Sequence, residues 1–521
     1  MLVGDSETEL RKLTKKVKID LEELPILTDP RKALEPNAPL IHPEFKSNLI
    51  NHYPLRKGDV EKGFAESDFI IEQTYTTPHI EHAYLEPECV IAIPLEGDKG
   101  IHIIGSIQNP FTARRIVAGV LGFPLNKVRI EQAELGGSFG GKDDIMCILS
   151  ARATLAALKT NRPVKIKYTR EESILESYKR HPYIMNYKVG FNRDGKIKAM
   201  KIDIIADGGA YASMSPFVTW RSVVQATGPY EIENVWTDIR AVYTNNPYTG
   251  AMRGFGSPQI IFAQESLMDD IAVKLGITPD EIRRINGYRS GSITASSQVL
   301  KNHDVNLLTV LDIACEKTNF KERWLENEKH QNRKIPTIEF KEKISSRNLI
   351  LGENEFVEPK DVLKHGIGLA VSFRGTSLGA EGIDAAAAYL SIQNDGTAYL
   401  LCGLAENGQG MKTTYAIITS EILGIPLENI YYLEMDTALI PDSGPTVASR
   451  STLMGGGAVK NAADILRKRF EEFLRKEWSL NEDDLIVFEN NEVFVKGKEN
   501  LRISFSDFTQ LAYKKGICLA A

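Results

Sequence analysis

The chain is poor in cysteine, and its spacing pairs none of them. The five, Cys89, Cys147, Cys315, Cys402 and Cys518, are scattered without a C-x-x-C pair. That excludes an iron–sulfur or structural zinc site built from this chain alone. The odd count and the lack of a secretion signal favour a reducing cytoplasm, with all five read as small buried hydrophobes. No apolar run reaches the about 18 residues that a membrane span needs. The first residues, MLVGDSETELRKL, lack the apolar core of a signal peptide. Basic excess is missing too: the net charge of -6 is spread along the chain and leaves no nucleic-acid footprint. Hydrophobic content of 42% and charged content of 25% are those of an ordinary globular protein. At about 150 residues per domain, the length predicts two to four domains.

The chain has a surplus of glycine in turns. Gly136-Gly137-Ser138-Phe139-Gly140-Gly141-Lys142, Arg253-Gly254-Phe255-Gly256 and Gly403-Leu404-Ala405-Glu406-Asn407-Gly408-Gln409-Gly410 each set a bulky or polar residue among glycines. A further run, Gly455-Gly456-Gly457, opens a helical stretch. Glycine lets backbone N–H groups approach a ligand and accepts positive φ. Several such turns far apart in sequence point to one large polar ligand gripped from many sides.

Strand and helix patterns alternate around these turns. GIHIIGSIQ, KVRIEQAEL and PVKIKYTR read as strands. PFTARRIVAGVLG and DDIMCILSARATLAALKT read as helices between them, which predicts a mixed α/β (α+β) fold. YKVGFNRDGKIKAMKIDIIADGGAY predicts a long hairpin turning at Arg193-Asp194-Gly195. Thr278-Pro279-Asp280-Glu281 is a capping box with proline at the first helical position. A second strand–glycine-turn–helix block follows from AAAAYLSIQ through TAYLLCGLA to MKTTYAIITSEILG and NIYYLEMD. The N-terminal TELRKLTKKVKIDLEELPIL reads as helix, then strand.

The first turn satisfies G-x-x-x-x-G-K between a strand and a helix, but Asp143 follows where a nucleotide loop needs Ser or Thr. Asp143 and Asp144 would face triphosphate charge, although they suit a helix N-terminus as N-capping residues. Phe139 and Phe255, each between glycines, offer flat faces for a heteroaromatic ligand. Arg221, in an apolar stretch, reads either as a solvated or salt-bridged residue or as a fixed guanidinium that stabilises developing negative charge. Gln108 and Gln409 each offer an amide donor, although an isolated Gln is better read as a surface residue. Glu81, His82 and Glu86 lack metal-site spacing and read as a polar packing network.

GSIQNPF, GGSFGGKDD, AMRGFGSPQ, GLAENGQG and PTVASRSTLMGGGAV, in this order, together resemble the molybdenum-binding large subunit of the xanthine dehydrogenase and aldehyde oxidase family. EHAYLEPE and ESLMDDIAVKLGITPDEIRRIN fit the same pattern, so the resemblance covers nearly the whole chain. It implies a partial hammerhead-like segment and connector over 1–58, a first molybdopterin-binding domain over 59–320, a connector over 321–364 and an incomplete second molybdopterin-binding domain over 365–521. It implies molybdenum held by a molybdopterin dithiolene rather than by protein side chains, with the cytidine dinucleotide form left open. It implies hydroxylation of a carbon beside a ring nitrogen, or of an aldehyde, with water as the oxygen source.

Residue by residue, the resemblance makes Gln108 the amide facing the metal's oxo ligand and Phe139 a close neighbour of the metal, with Gly137 and Gly140 in the same cofactor loop. Phe255 and Phe373 become the rings that sandwich the substrate, and Arg221 the charge-stabilising arginine. Asp143 stands where purine enzymes carry Glu as a substrate contact. Arg253 and Gln409 become cofactor contacts, and Ala448, Ser449 and Gly456 the second domain's cofactor loop, with Arg253 and Ala448 near the metal. The family's catalytic Glu, in a Gly-Glu-Pro-like motif, has no counterpart in the sequence. A partner chain is therefore expected to supply it with the missing C-terminal half-domain, and Fe–S and FAD subunits are expected to carry the electrons. A purine or related heterocycle leads as substrate. A nicotinate-type or aldehyde hydroxylase and an inactive cofactor-holding scaffold are the alternatives.

Overall fold

Alternating burial builds the largest sheet. Tyr183, Met185, Tyr187 and Val189 are buried while Ile184, Asn186 and Lys188 between them are not, the period of a half-solvated strand. The computed structural model describes residues 1–98, 100–331, 366–378 and 382–521. Its first lobe holds strands β1 (Leu49–Lys57), β2 (Phe69–Thr77), β3 (Cys89–Leu95), β4 (Gly100–Gly105), β5 (Val128–Gln132), β6 (Val164–Lys167), β7 (Tyr183–Phe191), β8 (Ile197–Gly209) and β9 (Asn234–Tyr243). The second holds β10 (Ala388–Ile392), β11 (Ala398–Cys402), β12 (Ile430–Tyr432), β13 (Ile486–Glu489), β14 (Glu492–Val495) and β15 (Lys498–Ser504).

The large sheet runs β1-β9-β8-β7-β2. The helices Ser215–Gln225 and Ser257–Leu275 close its inner face through Val223, Ile260, Leu267 and Ile271. The outer face carries charge instead, with Arg56 paired to Asp238 at 2.8 Å and its guanidinium 3.7 Å from the Trp236 ring centroid. β1 takes up nine residues of the segment expected to be connector, Leu49–Lys57. The expected hairpin is β7–β8. The expected capping box forms at Thr278 and Glu281.

A second sheet runs β5-β4-β3-β6, with β4 and β5 parallel and the Pro110–Leu121 helix between them. In the second lobe β11 and β12 are parallel, with the Met411–Leu423 helix between them. Each lobe therefore contains a βαβ unit, in which ligands bind beyond the carboxyl ends of the strands. The two units meet along the edge strand β5, beside which the chain after β12 runs antiparallel. Thr437 N donates to Ile130 O at 2.9 Å, and Gln132 N to Met435 O at 2.9 Å. Phe111, Leu401, Met435 and Ile440 form an apolar cluster there, rimmed by Arg129–Asp436 at 2.6 Å.

Two expectations need correction. KVKIDLEELPIL forms no strand; Val17, Ile19, Leu21, Leu24 and Ile26 are all exposed, and no neighbouring strand satisfies the backbone. Only Cys147 and Cys402 are buried, whereas Cys89 and Cys315 are half-buried and Cys518 is exposed. The connector expected over 321–364 begins as the Phe320–Gln331 helix, and 332–364 lies outside the described residues. Among the described residues no helix is long and apolar enough to cross a membrane.

Candidate functional site

The motif loops are joined in a closed circuit of contacts. Gln108 N donates to Lys142 O at 2.9 Å, tying the end of the β4 segment to the first glycine loop. Arg253 N donates to Phe139 O at 2.8 Å, tying that loop to the second. The second loop seats on the Ser215–Gln225 helix: a Cβ at Gly256 would lie 2.4 Å from Ser222 Oγ and from Val218 O. Arg221, on that helix, donates to Ser377 O at 3.5 Å, and Ser377 N donates to Ala448 O at 2.8 Å. From the same stretch, Thr446 Oγ1 accepts from Ala405 N at 2.7 Å. Gln132 closes the circuit, since its Oε1 accepts from Glu406 N and its Nε2 donates to Ile107 O, each at 3.0 Å. Gln108, Phe139, Arg253, Phe255, Arg221, Ala448 and the Gln409 loop thus border one region at the lobe junction.

Several strained backbones lie on this circuit. Phe139 (φ 53°), Phe255 (φ 50°), Ala448 (φ 52°) and Ser449 (φ 56°) all take left-handed conformations without being glycine. Each costs of order 1–3 kcal/mol and persists only where its surroundings over-determine it, as at ligand sites. The surroundings are visible. Gly140, at φ 95°, has Ala251 O 2.8 Å from where its Cβ would sit. Buried Tyr178 donates to Gly140 O and accepts from Asp143 N, fixing the loop from beneath. Phe139 itself is 47% exposed, its ring lying over Gly137.

The Ala448–Ser449 turn is held by Arg450, a fully buried guanidinium. Arg450 donates to Asp384 Oδ1 at 2.8 Å, Ser443 O at 2.7 Å, Pro445 O at 2.9 Å and Ala385 O at 2.8 Å. Gln225 brings the two substrate-ring candidates onto one helix. Its oxygen accepts from Ser257, beside the Phe255 turn, and its nitrogen donates to Phe373 O at 3.2 Å. Phe373 meets Tyr288 edge-on at 5.6 Å.

Buried polar groups line this junction. Gln108 is 3% exposed, and its Oε1 has no hydrogen-bond partner among the described residues. Asp143 occupies the N-cap position of the Asp144–Thr160 helix but makes no capping bond, contrary to the sequence expectation. Its carboxyl is buried, and burial, then the neighbouring Asp144, pushes its pKa up toward neutrality. Buried Lys142 pairs with Glu86 at 2.7 Å, and Glu86 also accepts from Gly136 N at 2.6 Å. His82 sits within hydrogen-bonding distance of Ala251 O, 2.8 Å away, and Glu81 pairs with Lys179 at 2.6 Å, so the EHAYLEPE segment braces the loops.

The remaining candidates are placed differently. Gln409 folds back on its own loop, accepting from Asn407 N at 2.6 Å and donating to Ala405 O at 3.2 Å. Gly456 begins a helix, 3.1 Å from Ile418 Cδ1 at its Cβ position, while a Cβ on Gly455 would fall 1.9 Å from Tyr415 Oη. Gly455 is therefore required by close helix packing, while Gly457 has nothing within 4 Å of its Cβ position. Sequence reading missed Gln132, Tyr178, Gln225 and Arg450, which lie outside or at the edge of the glycine motifs. Among the described residues no group of three His, Cys, Asp or Glu side chains could hold a metal.

Residues 41–287 and 344–521 each match a molybdopterin cofactor-binding domain. The nicotinate dehydrogenase large molybdopterin subunit of Eubacterium barkeri is 39% identical over 301 residues, covering 58% of this chain and 69% of that protein. A probable xanthine dehydrogenase subunit of Bacillus subtilis (strain 168) is 36% identical over 470 residues, 89% of this chain. The chain belongs to the xanthine dehydrogenase and aldehyde oxidase family. Its molybdopterin-binding domains are the two lobes, and the circuit lies where they meet. The fold of this family member superimposes on quinoline 2-oxidoreductase from Pseudomonas putida 86 with a TM-score of 0.83 at 22% identity, over 99% of this chain and 64% of that one. The chain spans 57% of the length of the Bacillus relative.

Proposed function

We propose that this chain is the molybdenum-binding part of a hydroxylase that oxidises a purine or related N-heterocycle. The observation that carries the reading is the closed circuit itself, which brings loops from both lobes together beside a buried carboxamide oxygen with an unused acceptor. The residues fit a large polar cofactor. Gly408 and Gly410 have open space beside them, and the strained Phe139, Ala448 and Ser449 backbones belong to a ligand-bearing wall. Gln108, the Gly137–Gly140 loop, Arg253, Gln409 and the Ala448–Ser449 turn are the residues proposed to hold it.

When bound, molybdopterin supplies a metal that accepts electrons from the substrate while water provides the oxygen. This chain's residues then do the positioning. Phe255 and Phe373, on segments joined through Gln225, align a flat ring. Arg221, held beside Ser377 O, stabilises negative charge gained by the ring. Asp143, whose carboxyl burial and Asp144 shift toward the protonated form, lies beside the same loop as a substrate contact. In this proposal a partner chain supplies the carboxylate that deprotonates the attacking water. Electrons leave through Fe–S and FAD partner subunits in the cytoplasm. The pterin's nucleotide form, the cytidine dinucleotide included, belongs to the same test.

A nicotinate-type substrate is the second reading, favoured by the 39% identity to the nicotinate dehydrogenase subunit. A pyridine carboxylate would also use Arg221. The test is elemental analysis of the native complex together with the masses of co-purifying chains. Molybdenum with iron-bearing partners supports the proposal and leads to a purine and pyridine substrate screen. A folded native complex without molybdenum sinks it and leaves a cofactor-shaped scaffold.

A further inference from the structure

Gln132 ends β5 and is 2% exposed. Four hydrogen bonds hold it, three of them reaching the second lobe. Its backbone N donates to Met435 O at 2.9 Å. Its Nε2 donates to Glu406 O at 3.0 Å, and its Oε1 accepts from Glu406 N at 3.0 Å. The carboxamide thus grips both sides of one residue of the opposite lobe, as a neighbouring strand would. Its remaining proton goes to Ile107 O at 3.0 Å, next to Gln108. A primary amide suits this fork, because it offers an acceptor and two donors.

Glu406 passes the constraint onward. Its Oε1 accepts from Gly408 N at 2.8 Å and Gly410 N at 3.0 Å, and its Oε2 from Lys412 N at 3.2 Å. The loop carrying Gln409 is therefore shaped by Glu406 and anchored from the first lobe through Gln132. We infer that Gln132 is a positioning residue, an amide clamp that keeps the Gln108 segment and the Gln409 loop in register for one ligand. The ligand part rests on the cofactor reading above; the clamp itself is testable without any cofactor.

The experiment is amide hydrogen exchange by mass spectrometry on the full chain, comparing wild type with Gln132→Ala and Gln132→Glu. Rates over 404–412 are corrected for intrinsic exchange, with the β7–β8 hairpin as internal reference. Gln132→Ala should speed exchange over 404–412 about tenfold, equivalent to roughly 1.4 kcal/mol of local opening, with the reference unchanged. Gln132→Glu carries a distinguishing signature. As a neutral acid its side chain still accepts from Glu406 N and donates to one carbonyl. Ionised, it sets charge against Ile107 O and Glu406 O. Burial and these carbonyls favour the protonated form, so the clamp holds at about pH 5 and opens by about pH 8. Wild type and Gln132→Ala should show no such step.

Unchanged protection in Gln132→Ala, or no pH step in Gln132→Glu, overturns the clamp. Molybdenum per chain in native material gives the second readout. A clear fall in Gln132→Ala supports positioning, whereas full retention with a loosened loop reduces Gln132 to a lobe fastener and overturns the ligand claim. Wild type lacking molybdenum defeats the cofactor reading alone, because the exchange data still decide the clamp.

Discussion

Arg450 and Asp143 show how single residues shape the site from behind. Arg450 satisfies one carboxylate and three carbonyls with no exposure of its own. Arg450→Met should destabilise the second lobe by about 3–5 kcal/mol, as loss of one partner from a buried ionic network does. Urea unfolding of the variant checks this. Asp143 has its folded-state pKa raised by burial and by Asp144, so the native state binds more protons than the unfolded state as pH rises from the ordinary carboxylate range toward neutrality. Stability is therefore full at the acid end of that window and falls as pH climbs. Asp143→Asn should flatten that slope, checked by Tm measured across the window. Phe139 and Phe255 are legible in the sequence because glycine-rich contexts flag them, whereas Ala448 and Ser449 come only through the family resemblance. Positive φ at the two phenylalanines explains the flag. Gln132, Gln225 and Arg450 are not legible, because their roles depend on partners that only tertiary structure brings close.

Among elements, the strand–turn–helix units are the readable ones. Period-2 burial, capping boxes and turn residues act locally, so β7–β8, the Thr278 cap and the Met411–Leu423 helix follow from short stretches. KVKIDLEELPIL has alternating apolar residues but no strand beside it, and alternation alone cannot satisfy backbone groups. The glycines at 455–457 open a helical stretch in the sequence, and Gly455 is required by a neighbouring helix. Gly455→Ala would place its methyl against the Tyr415 hydroxyl, which donates to Ser451 O at 2.8 Å. The variant should lose about 1–3 kcal/mol through overpacking. Calorimetry checks the loss, and Tyr415→Phe in the same background should restore part of it.

At the scale of the molecule, the two lobes meet through a small apolar cluster rimmed by ion pairs. Phe111, 1% exposed, packs with Leu401, Met435 and Ile440 from the other lobe. Phe111→Ala should cost about 3–5 kcal/mol, part of it at the junction. Denaturant unfolding of this variant should then separate into two transitions, and a single unchanged transition would contradict the arrangement. The ion pairs Arg129–Asp436 and Lys412–Glu134 are partly exposed and should weaken with salt.

The circuit of loops has no end, and that has a topological consequence. A necklace cut once remains a string, with every bead still tethered to the rest. Cut twice, it falls into two pieces. Single lesions at Gln132 or at Arg221, whose side chains make their links, should therefore be partly tolerated, because each leaves an intact route the other way round. Joint lesions on opposite arcs should cost more than their sum, a positive interaction energy of about 0.5–3 kcal/mol in a double-mutant cycle. Strict additivity would mean that the loops stand independently and the closure carries no redundancy.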